Sequence, residues 1–322
     1  MGFWQRAGRI GAAMAGALAL SGCLAVQPPA PAGNPQSQSD GQSASHGSDA
    51  PGTTASASSQ ALSRYYRRLE TDLLAQDLMR TGGGGVDTPY SEVDLQRNFE
   101  RIAFYDEYQR NAGLRPSEGR AGRLKKWVVP VRVAVEFGDN VPMVERDRDR
   151  RNVAEFAARL SQITGHPISM SNQAPNFIVM VMNNDDSAQA RARASRVMPN
   201  LSDANLALFS DLPRAIQCFV IAAGYQKEHE YRVALAYIRS ENTQLQRLAC
   251  IHEELSQGLG LANDSPRARP SIFNDDEEFA LLTAHDEELL RLLYDPALEP
   301  GMSLDEARPI ITRILAGRLG PS

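Results

Sequence analysis

One amphipathic helix in the C-terminal third is the segment around which the rest of the chain has to pack. The apolar spacing of residues 242–258 predicts this helix, and Gly258 and Gly260 mark its end. At about 100° per residue, one stripe of five side chains faces the core: Leu245, Leu248, His252, Leu255 and Leu259. The opposite, polar face carries Cys250, Glu253, Glu254 and Gln257, and we expect it to open onto a cleft. His252 is expected to be a buried, hydrogen-bonded structural histidine, with a metal ligand as the alternative.

The segments before this helix predict an α+β fold. Alternating apolar residues over 131–137 predict a half-buried strand, which leads into a long charged helix at about 144–163. Apolar runs predict three further strands, at 177–182, 218–223 and 231–239. A short polar stretch joins the last two strands, as in a hairpin. Strands that alternate with helices in this way predict an α+β domain with a mixed sheet.

The N-terminus predicts a lipid-anchored protein of the cell envelope. Arg6 and Arg9 precede an apolar run, residues 10–20, that is too short to cross a bilayer, as in a secretory signal peptide. The sequence Leu20-Ser21-Gly22-Cys23 resembles the bacterial lipobox, which implies lipidation of Cys23; an ordinary cleaved signal is the alternative. Leu24 after the cysteine favours the outer membrane, with the protein facing the periplasm.

The composition of the remaining chain limits its partners. Residues 26–60 consist almost entirely of small and polar residues, which predicts a disordered tether. Removing the signal peptide takes away Arg6 and Arg9, so 32 basic residues remain against 39 acidic ones, a net charge of −7. This balance, without basic clusters, argues against nucleic acid or anionic lipid as a partner. In an oxidising periplasm we expect Cys218 and Cys250 to form a disulfide; two buried thiols are the alternative.

These patterns divide the chain into five parts. They are a signal peptide at 1–22, a lipidated cysteine with a linker at 23–60, a small helical unit at 61–125, the α+β domain at 126–296 and a C-terminal helix at 297–322. The helical unit begins with one helix near residues 61–79, and Ser91 is expected to cap a second.

The end of the polar helix face resembles the zinc-binding motif of the metzincin peptidases, HExxHxxGxxHD. When the run from Gly260 to Asp264 is aligned with that motif, Glu253, Gln257 and Asn263 take the places of the three zinc-binding histidines. Glu254 then takes the place of the catalytic glutamate.

Two later segments extend this resemblance. Ser271-Ile272-Phe273 resembles the metzincin Met-turn, with phenylalanine in place of methionine, and residues 282–294 resemble the helix that closes those domains. The resemblance implies a zincin-like domain of the metzincin type with an active-site-type helix. Taken as a whole, the chain resembles an uncharacterised family of proteobacterial lipoproteins with a domain of unknown function, which implies a fold more than an activity.

The departures from the metzincin pattern imply a pseudoenzyme. One carboxylate and two amides bind zinc poorly, so we expect no metal and no cofactor, and therefore no activated water. The expected function is the binding of a peptide or protein partner in the envelope by strand addition. An active zinc metallopeptidase with these unusual ligands, in which Glu254 is catalytic, is one alternative; a purely structural envelope lipoprotein is another. Asp264, Asp275 and Asp276 offer a calcium site with Glu253, but solvated acidic residues are the preferred interpretation.

Overall fold

A computed structural model describes residues 55–109, 111–224, 227–274 and 276–318 of the 322-residue chain. The predicted signal peptide, the predicted lipidation site Cys23 and most of the predicted tether lie outside these residues. Within the described ranges, no helix is both long enough and apolar enough to cross a bilayer.

In the part of the chain that the structure describes, seven strands form one large sheet and one small one. In chain order they are β1 (Lys126–Trp127), β2 (Val131–Phe137), β3 (Ile168–Met170), β4 (Phe177–Met182), β5 (Cys218–Ala223), β6 (Glu230–Tyr231) and β7 (Val233–Arg239). The large sheet has the spatial order β3-β2-β4-β7-β5, and β1 pairs with β6 in parallel. The first four strands of the large sheet are parallel, whereas β5 runs antiparallel to β7 and forms one edge. The sheet is therefore mixed, as the sequence predicts.

The described residues form eight α-helices around the large sheet. They are α1 (Ala57–Leu74), α2 (Glu92–Phe104), α3 (Met143–Thr164), α4 (Ser187–Val197), α5 (Asp203–Leu208), α6 (Gln244–Leu259), α7 (Ala284–Leu293) and α8 (Leu304–Arg318). Capping boxes start α2 at Ser91, α6 at Thr243 and α7 at Thr283, because in each case a hydroxyl accepts an otherwise unpaired N–H. Gly165 ends α3 with φ at 66°, a conformation that favours glycine.

The two faces of the sheet have separate hydrophobic cores. On one face, α3 and α6 pack through side chains such as Phe156 and Leu255, and α2, α7 and α8 extend the same core. On the other face, the short helices α4 and α5 cover the sheet with a smaller cluster that includes Phe219 and Tyr237. The expected helical unit at 61–125 thus contributes α2 to the main core of the molecule.

Helix α6 lies unusually close to the sheet near its C-terminal end. A Cβ atom at Gly258 would lie 2.5 Å from the ring of Phe177, so only glycine fits there without displacement. The indole N–H of Trp127 donates to the Gly258 carbonyl at 2.8 Å. Twelve of the sixteen residues of α6 are buried, which makes it a central helix and not a half-exposed one.

Candidate functional site

A disulfide joins the edge strand to the central helix. Cys218, the first residue of β5, is bonded to Cys250 of α6, and both residues are buried. The expected pairing is therefore confirmed. Because β5 has a strand neighbour on only one side, this bond supplies a second fixed attachment for the edge.

A cleft of about 380 Å³ lies beyond the free side of β5. The strand forms one wall, the loop 106–114 and the segment 198–208 form others, and Gln257 and Ala262 mark the end of α6. Sequence analysis identified Gln257 but neither the loop nor the segment. These two stretches carry no motif or periodic pattern, and only the tertiary fold brings them to the edge strand.

The backbone of β5 presents hydrogen-bonding groups to the cleft. The Arg239 N–H donates to the Gln217 carbonyl at 3.0 Å, which fixes the register with β7. In an antiparallel ladder the residues alternate between bonding to the partner strand and pointing away from it. Phe219 and Ile221 therefore bond to β7, whereas Val220, together with Ala222, directs its N–H and C=O outwards. Within the described residues, no hydrogen bond satisfies these outward groups.

The two carboxylates of the motif do not open onto this cleft, so the expected opening of the polar face is found only at Gln257. Glu253 is 6% exposed and Glu254 only 1%. The space beside Glu253 is a crevice of about 10 Å³, lined by Ala249 of α6 itself and by residues from distant parts of the chain: Met79, Ile272, Glu277, Phe279 and Ala280. The polar face of α6 is thus covered around Glu253 by the stretch near Met79 and by the loop that precedes α7.

Glu254 occupies an environment that favours its neutral form. Burial raises the pKa of its carboxyl well above the usual range, and the negative charges of Glu253, Glu107 and Asp264 raise it further. Among the described residues, its Oε2 atom has no hydrogen-bond partner. A neutral carboxylic acid in this position is a poor general base, because it holds the proton that a base must accept.

The residues around the zinc-ligand positions offer few donors of the kinds that zinc prefers. The Asn263 amide donates to the carbonyls of Arg101 and Asp264, both at 3.0 Å, so its side chain serves the local backbone. Cys218, Glu253 and Glu254 have potential ligand atoms within 4.8 Å of one another, but the Cys218 sulfur is already in the disulfide. The remaining donors are two carboxylates, which zinc does not favour over imidazole or thiolate.

Two of the three aspartates of the calcium alternative lie within the described residues. The Asp276 carboxylate accepts from the Asn274 amide at 2.8 Å and from the Glu278 N–H at 3.0 Å. Asp264 is buried, at 2% exposure, and Asp275 lies outside the described residues.

Asp286 of α7 holds the turn at residues 271–273 in place. Its carboxylate accepts from the Ser271 hydroxyl, from the Ile272 N–H at 3.0 Å and from the Thr283 N–H at 3.0 Å. All of these groups are buried. One carboxylate therefore joins this turn to the start of α7. Ile272 of the same turn lines the crevice beside Glu253.

His252 lies against the opposite side of α6, in the core. Its ring stacks on Phe156 with centroids 3.9 Å apart, and its Nδ1 accepts from the Leu282 N–H at 3.0 Å. Burial lowers the pKa of His252 to about 3, with a smaller contribution from the positive charge of Arg159. The structure thus places His252 as a neutral, hydrogen-bonded packing residue.

Fold and site together define a class of α+β proteins in which an antiparallel edge strand borders a cleft and is cross-linked to a central helix. The chain belongs to a family of proteins of unknown function, DUF2927, which matches residues 92–313. That range contains the large sheet, the disulfide, the cleft and helix α6. No curated protein and no solved structure matches the chain significantly.

Proposed function

We propose that this chain is a lipid-anchored protein of the cell envelope whose zincin-like domain binds an extended peptide segment and does not catalyse a reaction. The lipid anchor is Cys23, and the domain faces the periplasm from the outer membrane. The observation that carries the proposal is the free edge of β5, which borders the cleft from Phe219 to Ala223.

Strand addition is the binding mode that this edge supports. An exposed edge offers unpaired N–H and C=O groups to a second extended chain, and protein evolution usually blocks such edges with charges, prolines or bulges. The sequence of β5, Cys-Phe-Val-Ile-Ala-Ala, contains none of these residues. A peptide laid along the outward groups of Val220 and Ala222 gains backbone hydrogen bonds from a strand that the disulfide holds in place.

The zincin-like part of the proposal rests on three arrangements. The sheet is mixed with an antiparallel edge strand, the motif helix α6 runs beneath that edge, and the turn at 271–273 lies under Glu253 and is held by α7. These arrangements agree with the resemblance in the sequence.

The lack of catalysis follows from the chemistry of the same helix. Hydrolysis of this type needs a metal that lowers the pKa of a bound water and a base that takes its proton. The donor set around Glu253 does not suit zinc, and Glu254 is buried away from the cleft and favours its neutral form.

Replacing Val220 by proline tests the edge directly. Proline removes the outward N–H donor and adds a ring on the side where a peptide backbone would lie, but it breaks no bond to β7. For a peptide selected from a random phage-displayed library on the chain from Leu24 onward, we expect Val220→Pro to weaken binding about tenfold. Isothermal calorimetry on the selected peptide measures the effect.

The matched control is Val220→Ala, which shortens the side chain and keeps the N–H. We expect its affinity to stay within about threefold of the wild type, and thermal unfolding of both variants shows whether β5 remains folded. Equal losses in the two variants would place the contact in the side chain and not in the backbone. Selection of no peptide at all would favour the purely structural alternative.

A carboxylate metallopeptidase is the second candidate function, because the carboxylates of Glu253 and Glu254 lie within 4.8 Å of each other. We expect the purified chain to retain no zinc after dialysis against buffer that contains trace zinc, because the ligands at this site are poor ones for zinc. Elemental analysis measures the metal. Near one zinc per chain, lost in Glu253→Ala but kept in Glu277→Ala, would overturn the proposal and make Glu254 the residue to test in a proteolysis assay.

A further inference from the structure

Helix α1 presents a basic face to solvent. Arg64, Arg67 and Arg68 are all exposed and fall within a sector of about 100°. On the opposite side of the helix, Tyr66 and Leu73 are buried against the rest of the protein. The outer face of the helix therefore carries three positive charges, with the exposed Asp72 beside them.

The acidic residues of α1 do not neutralise this face. Glu70 is turned towards the protein, where its carboxylate accepts from the Thr243 hydroxyl. Asp72 lies at the edge of the shallow depression that the three arginines line. Within the described residues, Arg64, Arg67 and Arg68 form no ion pair. Each guanidinium therefore remains available to an external anion.

A fourth arginine extends the basic surface. The Arg214 guanidinium lies over the ring of Tyr65, 5.1 Å from its centroid, and Arg214 is exposed. Tyrosine and arginine together are typical of surfaces that meet the headgroup region of a bilayer, where an aromatic ring and a cation both find partners.

Helix α1 is firmly attached to the protein. The Ser59 hydroxyl donates to the Glu241 carboxylate at 2.8 Å, and the Gln246 amide donates to the Tyr66 carbonyl at 3.0 Å. Both contacts lie near the N-terminal end of α6, whereas the cleft lies near Gln257. Because an α-helix rises about 1.5 Å per residue, the basic face and the cleft are separated by roughly 20 Å along α6.

We propose that the basic face of α1 docks on the anionic phospholipid surface of the membrane that carries the lipid anchor. This inference rests on the proposed function for its anchor, Cys23. Helix α1 is the first described helix after the proposed anchor, and Ala57 lies 34 positions beyond Cys23 in the sequence. A covalent anchor raises the local concentration of the protein at the membrane, so that weak individual contacts suffice for docking. The guanidinium group suits this role, because its planar fork pairs with phosphate oxygens in two bonds.

Docking through α1 gives the molecule an orientation. With the start of α6 at the membrane, the cleft and the edge strand point away from it, towards the periplasm. The overall net charge argues against an anionic bilayer as partner, so docking depends on this local group of arginines.

Vesicle co-sedimentation tests the inference without the lipid anchor. The probe is a vesicle of phosphatidylcholine with two fifths phosphatidylglycerol, and the protein is the chain from Leu24 onward, which retains every described helix and strand. We expect salt-sensitive binding to these vesicles and none to pure phosphatidylcholine. Since each basic residue near an anionic surface contributes roughly a fivefold gain in partitioning, the triple variant Arg64→Glu, Arg67→Glu, Arg68→Glu should lose about a hundredfold.

The matched control reverses three exposed arginines elsewhere, Arg115→Glu, Arg151→Glu and Arg313→Glu, with the same change in net charge. We expect it to retain more than half of the wild-type binding. An equal loss in both variants, or no binding by the wild type, would overturn the inference. A milder variant, Arg64→Gln, Arg67→Gln, Arg68→Gln, should also lose binding, and circular dichroism verifies that each variant is folded.

The result is independent of the edge-strand test. If Val220→Pro loses peptide binding but still binds the vesicles, the docking inference stands. If the α1 variant loses vesicle binding but still binds the selected peptides normally, the proposed function stands.

Discussion

Removing the disulfide is expected to lower the free energy of unfolding by about 4 kcal/mol in the double variant Cys218→Ala, Cys250→Ala. The bond closes a loop with a sequence separation of 32 residues, and its main effect is to restrict the unfolded chain. It also fixes an edge strand that has a strand neighbour on one side only. We therefore expect the loss to be concentrated at β5, where the double variant should become sensitive to limited proteolysis within residues 218–224.

Urea unfolding at neutral pH measures this loss. The wild type in a strong thiol reductant should fall to the stability of the double variant, whereas the double variant should not respond to the reductant. Equal unfolding midpoints for wild type and variant would show that packing alone holds β5. In that case the disulfide would contribute nothing to the shape of the cleft.

Local sequence patterns were enough to predict most elements of the fold. The alternation over 131–137, the predicted helix at about 144–163 and the predicted strand 177–182 all correspond to the structure. The predicted strand 231–239 is interrupted at Arg232 and serves two sheets. The helices α4 and α5, between residues 187 and 208, were not predicted. Their sequences are charged and show only a weak apolar periodicity, so these helices form because they pack against the sheet.

The environment of the candidate site could not be predicted from the same patterns. Helical periodicity divides α6 correctly into an apolar stripe with His252 and a polar face with Glu253 and Glu254. It does not show which distant segment covers each face. Residues near Met79 and Phe279 lie far from α6 in sequence, and together they bury a carboxylate that would otherwise face solvent. A motif alignment therefore selects candidate residues but does not show their exposure.

His252 is expected to make the protein sensitive to mild acid. Its pKa is lowered to about 3 in the folded state, against an ordinary value of 6.5, because burial disfavours the charged ring. The stabilising contribution is thus complete above pH 6.5 and is lost as the pH falls towards 3, because the unfolded chain binds the proton first. One pKa unit corresponds to about 1.4 kcal/mol, so this residue alone should cost about 2 kcal/mol at pH 5.

Urea unfolding between pH 8 and pH 4 separates this effect from that of other titrating groups. His252→Asn keeps an acceptor for the Leu282 N–H but does not titrate, so it should lower stability at every pH and flatten the slope by nearly one proton. Phe156→Leu, the control, removes the stacked ring and keeps the histidine, so its slope should match the wild type. Identical slopes in all three proteins would mean that His252 gains its proton in the folded state. That outcome would require a ring position open to solvent and would contradict the packing of α6 against α3.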